Sequence, residues 1–224
     1  MWHLWIMCNM KKLRQITLLI LVAVISLGIG IWLSKLKQQQ TSAIPDDLNA
    51  TVLDKPRPLS PFTLEDHDNK HFTRDSFKGQ WSYLFFGYTN CPDVCPLALK
   101  VMQTAWNSMP KTDSAGHPVK MYFVSVDPDR DSNKLLKDYT TYFNPEFIGL
   151  TGEADQLDIF TNQLGILYGF EDKAKDSDNY LVNHSAQFLL INPKGQLQAV
   201  ISPPHEAEKI ASELGEIFKF YEQL

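Results

Sequence analysis

The fold of this chain is decided by the stretch WSYLFFGYTNCPDVCPLALKVM, residues 81–102. It begins with an apolar, aromatic run of strand length, passes through a short polar turn and ends in a segment with helical periodicity. Strand, turn and helix start in that order predict a βα junction, which places Cys91 and Cys95 at the carboxyl edge of a sheet. A helix N-terminus lowers the pKa of nearby thiols, and Pro96 suits a first helical turn. The two thiols can therefore share a metal ion or form a disulfide.

The N-terminal part predicts a membrane anchor. Residues 16–33, ITLLILVAVISLGIGIWL, carry no charge and reach the lower end of what spans a bilayer. Three basic residues precede this run and two follow it, which predicts a cytoplasmic N-terminus for residues 1–15. A cleaved signal peptide is the alternative, but the small residues at 41–43 come about ten positions too late for its cleavage site. Under either interpretation the residues after the apolar run are exported, and Cys8 stays on the cytoplasmic side of the membrane.

The charge balance excludes some classes of partner. All five charges within residues 1–40 are basic, so the exported part holds 16 basic and 26 acidic residues, a net charge of −10. That balance argues against binding to nucleic acid or to an anionic membrane surface. Cys91 and Cys95 are the only cysteines after position 8, so the chain is not a disulfide scaffold.

The order of the remaining patterns predicts the fold class. Residues 34–60 are polar and punctuated by proline, which is typical of a linker. Residues 61–224 then read as a β-hairpin, a β-α-β-α series, a short β-α segment, and a hairpin followed by a helix. This is an α/β, thioredoxin-like order with an N-terminal hairpin and an inserted β-α segment, preceded by a single transmembrane helix.

The residues themselves leave the chemistry of the cysteine pair open. A thioredoxin has C-x-x-C, whereas the C-x-x-x-C spacing here is wide enough for both sulfurs to bind one ion. A static disulfide is disfavoured because it would close too short a loop to constrain the unfolded chain. His184, predicted in a loop before the last hairpin, is the candidate third ligand, although a lone histidine is more often a surface or core residue. Two thiolates and an imidazole match the ligand preference and low coordination number of Cu(I), whereas zinc normally takes a fourth ligand.

Four blocks of the sequence resemble the Sco/SenC family: FFGYTNCPDVCPLAL, FVSVDPDRD, FIGLTG and YLVNHSAQFLLINPKG. The resemblance covers roughly residues 60–205 and implies a membrane-anchored, thioredoxin-like copper protein that serves cytochrome c oxidase assembly. It also implies that Cys91, Cys95 and His184 bind one copper ion, as Cu(I) and also as Cu(II). The family commonly has Asp before the histidine, and here Asn183 replaces it, so a carboxylate at that position is absent.

The acidic residues near the predicted site have simpler interpretations. Asp127, Asp129 and Asp131 follow a strand, where a turn and a helix N-cap by Asp131 or Ser132 account for them. Asp155 resembles a family position at the rim of the site, but the dipole of the following helix explains it equally well.

The other histidines and two methionines receive no role in the site. His67 and His71 are predicted on the surface of the first hairpin, and His205 at the start of the last helix. Met102 and Met121 are predicted in the core.

Two functions follow. The first is a metallochaperone that receives copper from an upstream copper chaperone and delivers it to the copper-bearing subunit of the oxidase. The second is a thiol–disulfide oxidoreductase, in which Cys91 and Cys95 form a redox pair served by a thioredoxin-like reductant. The leader lacks the Arg- and Ser-rich pattern of a transit peptide, so we expect a bacterial inner membrane with the domain in the periplasm, rather than a mitochondrial inner membrane.

Overall fold

The computed structural model describes residues 18–34, 48–171 and 180–223. The chain divides into two compact units, residues 1–43 and residues 44–222. In the first unit, residues 18–34 form helix α1. No helix within the described residues is both long and apolar enough to cross a membrane, so the structure does not confirm the predicted anchor at 16–33. The predicted cytoplasmic segment 1–15, with Cys8, lies outside the described residues.

The second unit is built on an eight-stranded sheet with a separate two-stranded sheet beside the site. The strands are β1 (Ala50–Pro58), β2 (Thr63–Asp66), β3 (His71–Thr73), β4 (Trp81–Gly87), β5 (Val119–Ser125), β6 (Phe147–Thr151), β7 (Tyr168–Glu171), β8 (Leu181–His184), β9 (Phe188–Ile191) and β10 (Gln196–Ile201). The helices are α2 (Val94–Ser108), α3 (Asn133–Phe143), α4 (Ala154–Leu164) and α5 (Ala207–Tyr221). The large sheet has the order β1-β10-β9-β4-β5-β6-β2-β3, and β7 pairs with β8.

Strand β4 is the centre of the large sheet. It pairs in parallel with β5 and antiparallel with β9, and all seven of its residues are buried. A strand that is covered on both faces must be apolar throughout, which is why this run does not alternate with polar residues. The β4-α2-β5 unit and the β9-β10-α5 unit confirm the predicted thioredoxin-like order, and β6 with α4 is the inserted segment.

The helices bury the faces that the sequence predicts. Helix α2 buries residues at spacings of three and four, among them Cys95, Met102 and Trp106. Met102 and Met121 are fully buried, as predicted. Ser132 caps α3, since its hydroxyl accepts a hydrogen bond from the backbone N–H of Leu135.

The linker prediction does not hold for residues 50–58. They form β1, an edge strand that pairs antiparallel with β10. Most of its side chains are exposed and its register shifts between Val52 and Arg57, so it has neither the alternation nor the regular pairing that identifies a strand in sequence. Pro56 lies inside this irregular part, where a missing N–H is tolerated.

Three smaller predictions are also corrected. Thr151, which the sequence offers as an N-cap for the following helix, instead ends β6, and Glu153 is the residue that precedes α4. His184 ends a strand, β8, and does not lie in a loop. Strand β7 was not predicted, because its four residues are mostly exposed and its partner comes nine residues later. The polar segment 171–179 is predicted as a loop from its composition; Glu171 belongs to β7 and the rest lies outside the described residues.

Glu213 fixes the beginning of β1. Its carboxylate, on helix α5, is buried and accepts hydrogen bonds from the backbone N–H groups of Asn49, at 2.6 Å, and Ala50, at 3.1 Å. A buried carboxylate is stable only when such donors satisfy it. The contact joins the first strand to the last helix.

Replacing this carboxylate should therefore weaken the fold. We expect Glu213→Ala to lower the free energy of unfolding by about 2–4 kcal/mol, because the buried N–H of Ala50 and the half-buried N–H of Asn49 lose a charged acceptor. Urea unfolding followed by tryptophan fluorescence measures the change. Glu216→Ala, on the same helix but in a surface pair with Lys219, is the control and should change stability by less than about 0.5 kcal/mol. Equal losses in the two variants would contradict the anchoring role.

Candidate metal site

The turn between β4 and α2 brings the two cysteines together. The backbone N–H of Cys91 donates to the carbonyl of Tyr88 at 3.2 Å, which closes the turn. Cys95 lies in the first turn of α2, and its backbone N–H donates to Cys91 Sγ at 3.4 Å. Both thiols are free; Cys91 is half-buried and Cys95 is fully buried. The structure therefore confirms the predicted βα junction and shows no disulfide between the pair.

The β7–β8 hairpin brings His184 to the same place. His184 is the last residue of β8 and lies opposite Tyr168 of β7. Its Nε2 is 3.2 Å from Cys95 Sγ. The donor atoms of Cys91, Cys95 and His184 all lie within 4.8 Å of one another, and among the described residues no other group of three or more His, Cys, Asp or Glu side chains is so close. The three residues singled out in the sequence thus form one cluster.

The imidazole of His184 is oriented for binding through Nε2. Its Nδ1 lies 3.1 Å from the carbonyl oxygen of Ser185, so it carries the proton and donates it to that oxygen. Nε2 then presents its lone pair to the thiols, which is the usual arrangement of a metal-binding histidine. The rings of Phe85 and Tyr88 meet the imidazole edge to face, each with a centroid distance of 6.1 Å. These aromatic contacts fix the orientation of the imidazole ring.

Asn183, the departure from the family pattern, does not take part in this arrangement. Its side chain is exposed and its amide donates to the carboxylate of Glu171 on β7. Successive side chains of a strand point to opposite faces, so Asn183 and His184 face different ways. The proton of the imidazole is held by a backbone carbonyl, and no carboxylate at position 183 is needed for it.

The two thiols have opposite pKa shifts. The pKa of Cys91 is lowered to about 4, because its sulfur accepts hydrogen bonds from the Cys95 thiol and from backbone N–H groups. The pKa of Cys95 is raised, because its proton is held between the two sulfurs and the side chain is buried. The pair therefore shares one proton, which stays with Cys95. A soft cation that displaces this proton gains both sulfurs.

Gly87 is required by the position of Cys95. A Cβ atom at residue 87 would lie 2.5 Å from Cys95 Sγ and 3.1 Å from the ring of Phe123. Only glycine leaves room for the sulfur against the end of β4. This role of Gly87 was not predicted from the sequence, although its signal is present: a glycine ends an otherwise bulky strand directly before the cysteine turn.

None of the acidic residues considered in the sequence contributes a donor atom to the cluster. Asp127 and Asp131 are buried in the loop that follows β5, and Ser132 is the residue that caps α3. Asp155 is exposed in the first turn of α4 and accepts the backbone N–H of Gln156 at 2.8 Å, in agreement with the dipole interpretation. The turn-and-cap interpretation therefore leaves two buried carboxylates without an explanation.

The other histidines lie elsewhere. His71 is exposed, as predicted, but His67 is half-buried and its Nδ1 accepts the backbone N–H of Gly149 at 3.1 Å, so the surface prediction is wrong for His67. His205 precedes α5, as predicted, and its Nε2 donates to the carbonyl of Ala186 at 2.7 Å. None of them belongs to the metal-ligand cluster.

The model of the family described as SCO1/SenC matches residues 51–219, which include both cysteines and the histidine. The chain belongs to the SCO1/SenC family. The SCO2-like protein of Rickettsia prowazekii is 31% identical to it over 188 residues, which cover 84% of this chain and 90% of the relative. Protein SCO1, mitochondrial, of Saccharomyces cerevisiae is 31% identical over 75% of this chain, but the match covers only 56% of that longer protein.

Solved structures of SCO1/SenC proteins share the fold. The crystal structure of yeast Sco1 with copper bound aligns with a TM-score of 0.66 and 30% identity, over 73% of this chain and 90% of that chain. This agreement supports the fold described above and the resemblance found in the sequence.

The space at Gly87 can be tested by one substitution. Gly87→Ala should weaken Cu(I) binding by at least about tenfold, because the added methyl group pushes Cys95 Sγ away from Cys91 and His184. Competition against a chromophoric Cu(I) chelator measures the affinity. Gly215→Ala, in α5 with no atom within 4 Å of the new Cβ, is the control and should bind as the wild type does. An unchanged affinity in Gly87→Ala would show that the site tolerates displacement of this sulfur.

Proposed function

We propose that this chain is a copper metallochaperone. It binds one copper ion through Cys91, Cys95 and His184 and delivers it to the copper-bearing subunit of cytochrome c oxidase during assembly. The observation that carries the proposal is the convergence of three soft donor atoms within 4.8 Å from segments 89 residues apart. Membership of the SCO1/SenC family and the likeness to yeast Sco1 with copper bound support it.

The donor set favours copper over zinc. Two thiolates and one imidazole are soft ligands, and three suffice for the low coordination number of Cu(I). A structural zinc ion would take a fourth protein ligand, and within the described residues no fourth His, Cys, Asp or Glu joins the cluster. Cu(II) prefers nitrogen donors and more ligands, so it depends more strongly on His184.

The exposure of the site supports transfer to another protein. Cys91 is half-buried whereas Cys95 is fully buried, so an incoming ligand reaches the copper from the Cys91 side. Exposed apolar side chains stand beside the ligands: Leu97 follows Cys95 on α2, and the carbonyl of Leu167 accepts a hydrogen bond from the backbone N–H of Ser185, the residue after His184. Such residues suit contact with a protein that receives the ion.

The second candidate function is thiol–disulfide exchange. The low pKa of Cys91 and the raised pKa of buried Cys95 favour it, because an exposed thiolate attacks and a buried thiol resolves in such pairs. The pair would be oxidised to a disulfide as a target disulfide is reduced, and a thioredoxin-like reductant would restore it. This chemistry needs no imidazole ligand, so His184 distinguishes the two functions.

Replacing His184 should separate them. We expect His184→Ala to lower Cu(II) affinity more than Cu(I) affinity, since two thiolates still hold Cu(I), and to abolish copper loading of the oxidase in cells. Its rate of reducing a model disulfide should stay near the wild-type value. The wild type should bind one equivalent of Cu(I), and exposed His71→Ala is the control for loss of a histidine. Normal oxidase assembly with His184→Ala would leave the oxidoreductase as the function.

We further propose a single-pass anchor at residues 16–33 in a bacterial inner membrane, with the domain in the periplasm. The uncharged run and the basic residues on its N-terminal side support this orientation. Protease added to spheroplasts should therefore digest the domain, whereas a cytoplasmic marker protein should survive. Full protection of the domain in intact spheroplasts would refute the orientation.

A further inference from the structure

The three proposed ligands lie on two separate segments of the chain. Cys91 and Cys95 belong to the turn between β4 and α2, which we call the cysteine loop (residues 88–95). His184 belongs to the β7–β8 hairpin, residues 168–171 and 181–184, which we call the histidine hairpin. The sequence DPDRD, residues 127–131, follows β5 and contacts both segments; we call it the acidic loop.

The first contact holds the cysteine loop. The carboxylate of Asp131 is almost completely buried and accepts hydrogen bonds from the backbone N–H of Thr89 at 2.9 Å and from its hydroxyl at 2.5 Å. A third hydrogen bond comes from the hydroxyl of Ser125 at 2.6 Å. Thr89 is two residues before Cys91, so this carboxylate fixes the start of the cysteine loop to the end of β5.

The second contact holds the histidine hairpin. The carboxylate of Asp127 is fully buried, accepts the hydroxyl of Tyr180 at 2.6 Å and pairs with Nε of Arg130 at 2.5 Å. Arg130 also donates to the backbone carbonyl of Tyr180 at 3.0 Å, and its guanidinium lies 3.5 Å from the centre of that ring. Tyr180 directly precedes β8, four residues before His184. The second strand of the hairpin is therefore fastened at the residue that directly precedes it.

Local structure does not account for these contacts. Ser132 caps α3, and the turn itself is closed by backbone hydrogen bonds from Arg130 and Asp131 to the carbonyl of Asp127. Burying two carboxylates within five residues costs free energy that a surface turn does not require. Asp131 binds Thr89 of the cysteine loop, and Asp127 binds Tyr180, directly before the second strand of the histidine hairpin. The contacts therefore fix the positions of those two segments relative to each other.

We propose that the acidic loop is a clamp that holds the cysteine loop and the histidine hairpin in register, so that the three donor atoms stay together before copper binds. Asp127, Asp131 and Tyr180 are positioning residues, because they act through Thr89 and β8 and contribute no donor atom to the cluster. A site that is already assembled binds more tightly than one whose parts must first meet. The inference rests on the proposed role of these ligands in copper binding.

The two halves of the clamp predict different defects. Tyr180→Phe removes the hydroxyl that Asp127 accepts but keeps the backbone and ring contacts with Arg130, so the hairpin loosens and His184 should dissociate while both thiolates remain. We expect Cu(I) affinity to fall by about 3- to 10-fold, and the nitrogen hyperfine signal of the Cu(II) form to weaken. Asp131→Asn loosens the cysteine loop, so the affinity for both oxidation states should fall by about tenfold or more.

Matched controls separate positioning from general stability. Tyr122→Phe removes a tyrosine hydroxyl that accepts a hydrogen bond from Gln80, and Glu213→Gln neutralises a buried carboxylate at β1. Both controls should leave copper affinity and the Cu(II) spectrum unchanged, whatever they do to the urea midpoint. If Tyr180→Phe and Asp131→Asn also kept wild-type affinity and spectrum, the clamp would be refuted and the acidic loop would be structural only.

The metal-free protein gives a readout that does not depend on copper. Nuclear Overhauser contacts from the His184 ring to Phe85 and Tyr88 should be present in the wild type and lost in Tyr180→Phe. If the wild type bound no copper but this loss occurred, the proposed function would fail while the clamp stood. Persistence of the contacts in Tyr180→Phe would overturn the clamp itself.

Discussion

The site depends on the approach of Cys95 Sγ to His184 Nε2, which are 3.2 Å apart. The sulfur reaches this position because β4 ends in glycine and α2 starts directly after the turn, so a fully buried thiol faces the carboxyl edge of the sheet. The imidazole reaches it because β8 ends there and its Nδ1 is held by a backbone carbonyl.

Burial gives the two thiols different roles. Cys95 is fully buried against Gly87 and its pKa is raised, whereas Cys91 is half-buried and its pKa is lowered. The same asymmetry supports ligand exchange with a copper acceptor and attack on a disulfide. The imidazole is the feature that distinguishes this candidate metal site from a simple pair of cysteines.

Much of the fold followed from pattern alone. The apolar run at 81–88, the helical periodicity after the cysteines and the turn at 192–195 predicted β4, α2 and the β9–β10 hairpin, because buried strands, amphipathic helices and tight turns leave local signatures. β1 and β7 left none, since both are short or irregular strands at sheet edges with mostly exposed side chains. The partner of β1 is β10, far away in the sequence, and the partner of β7 is β8, which follows a polar segment.

By itself the sequence determined the cysteine turn at a helix start, the set of three candidate ligands and, through four blocks, the family. Only the tertiary structure decided that His184 meets the thiols through Nε2, that Asn183 faces away, and that the carboxylates of Asp127 and Asp131 are buried against Tyr180 and Thr89. Spacing along the chain identifies residue types and local elements. Contacts between segments tens of residues apart depend on how the sheet and its loops pack, and no local pattern records that packing.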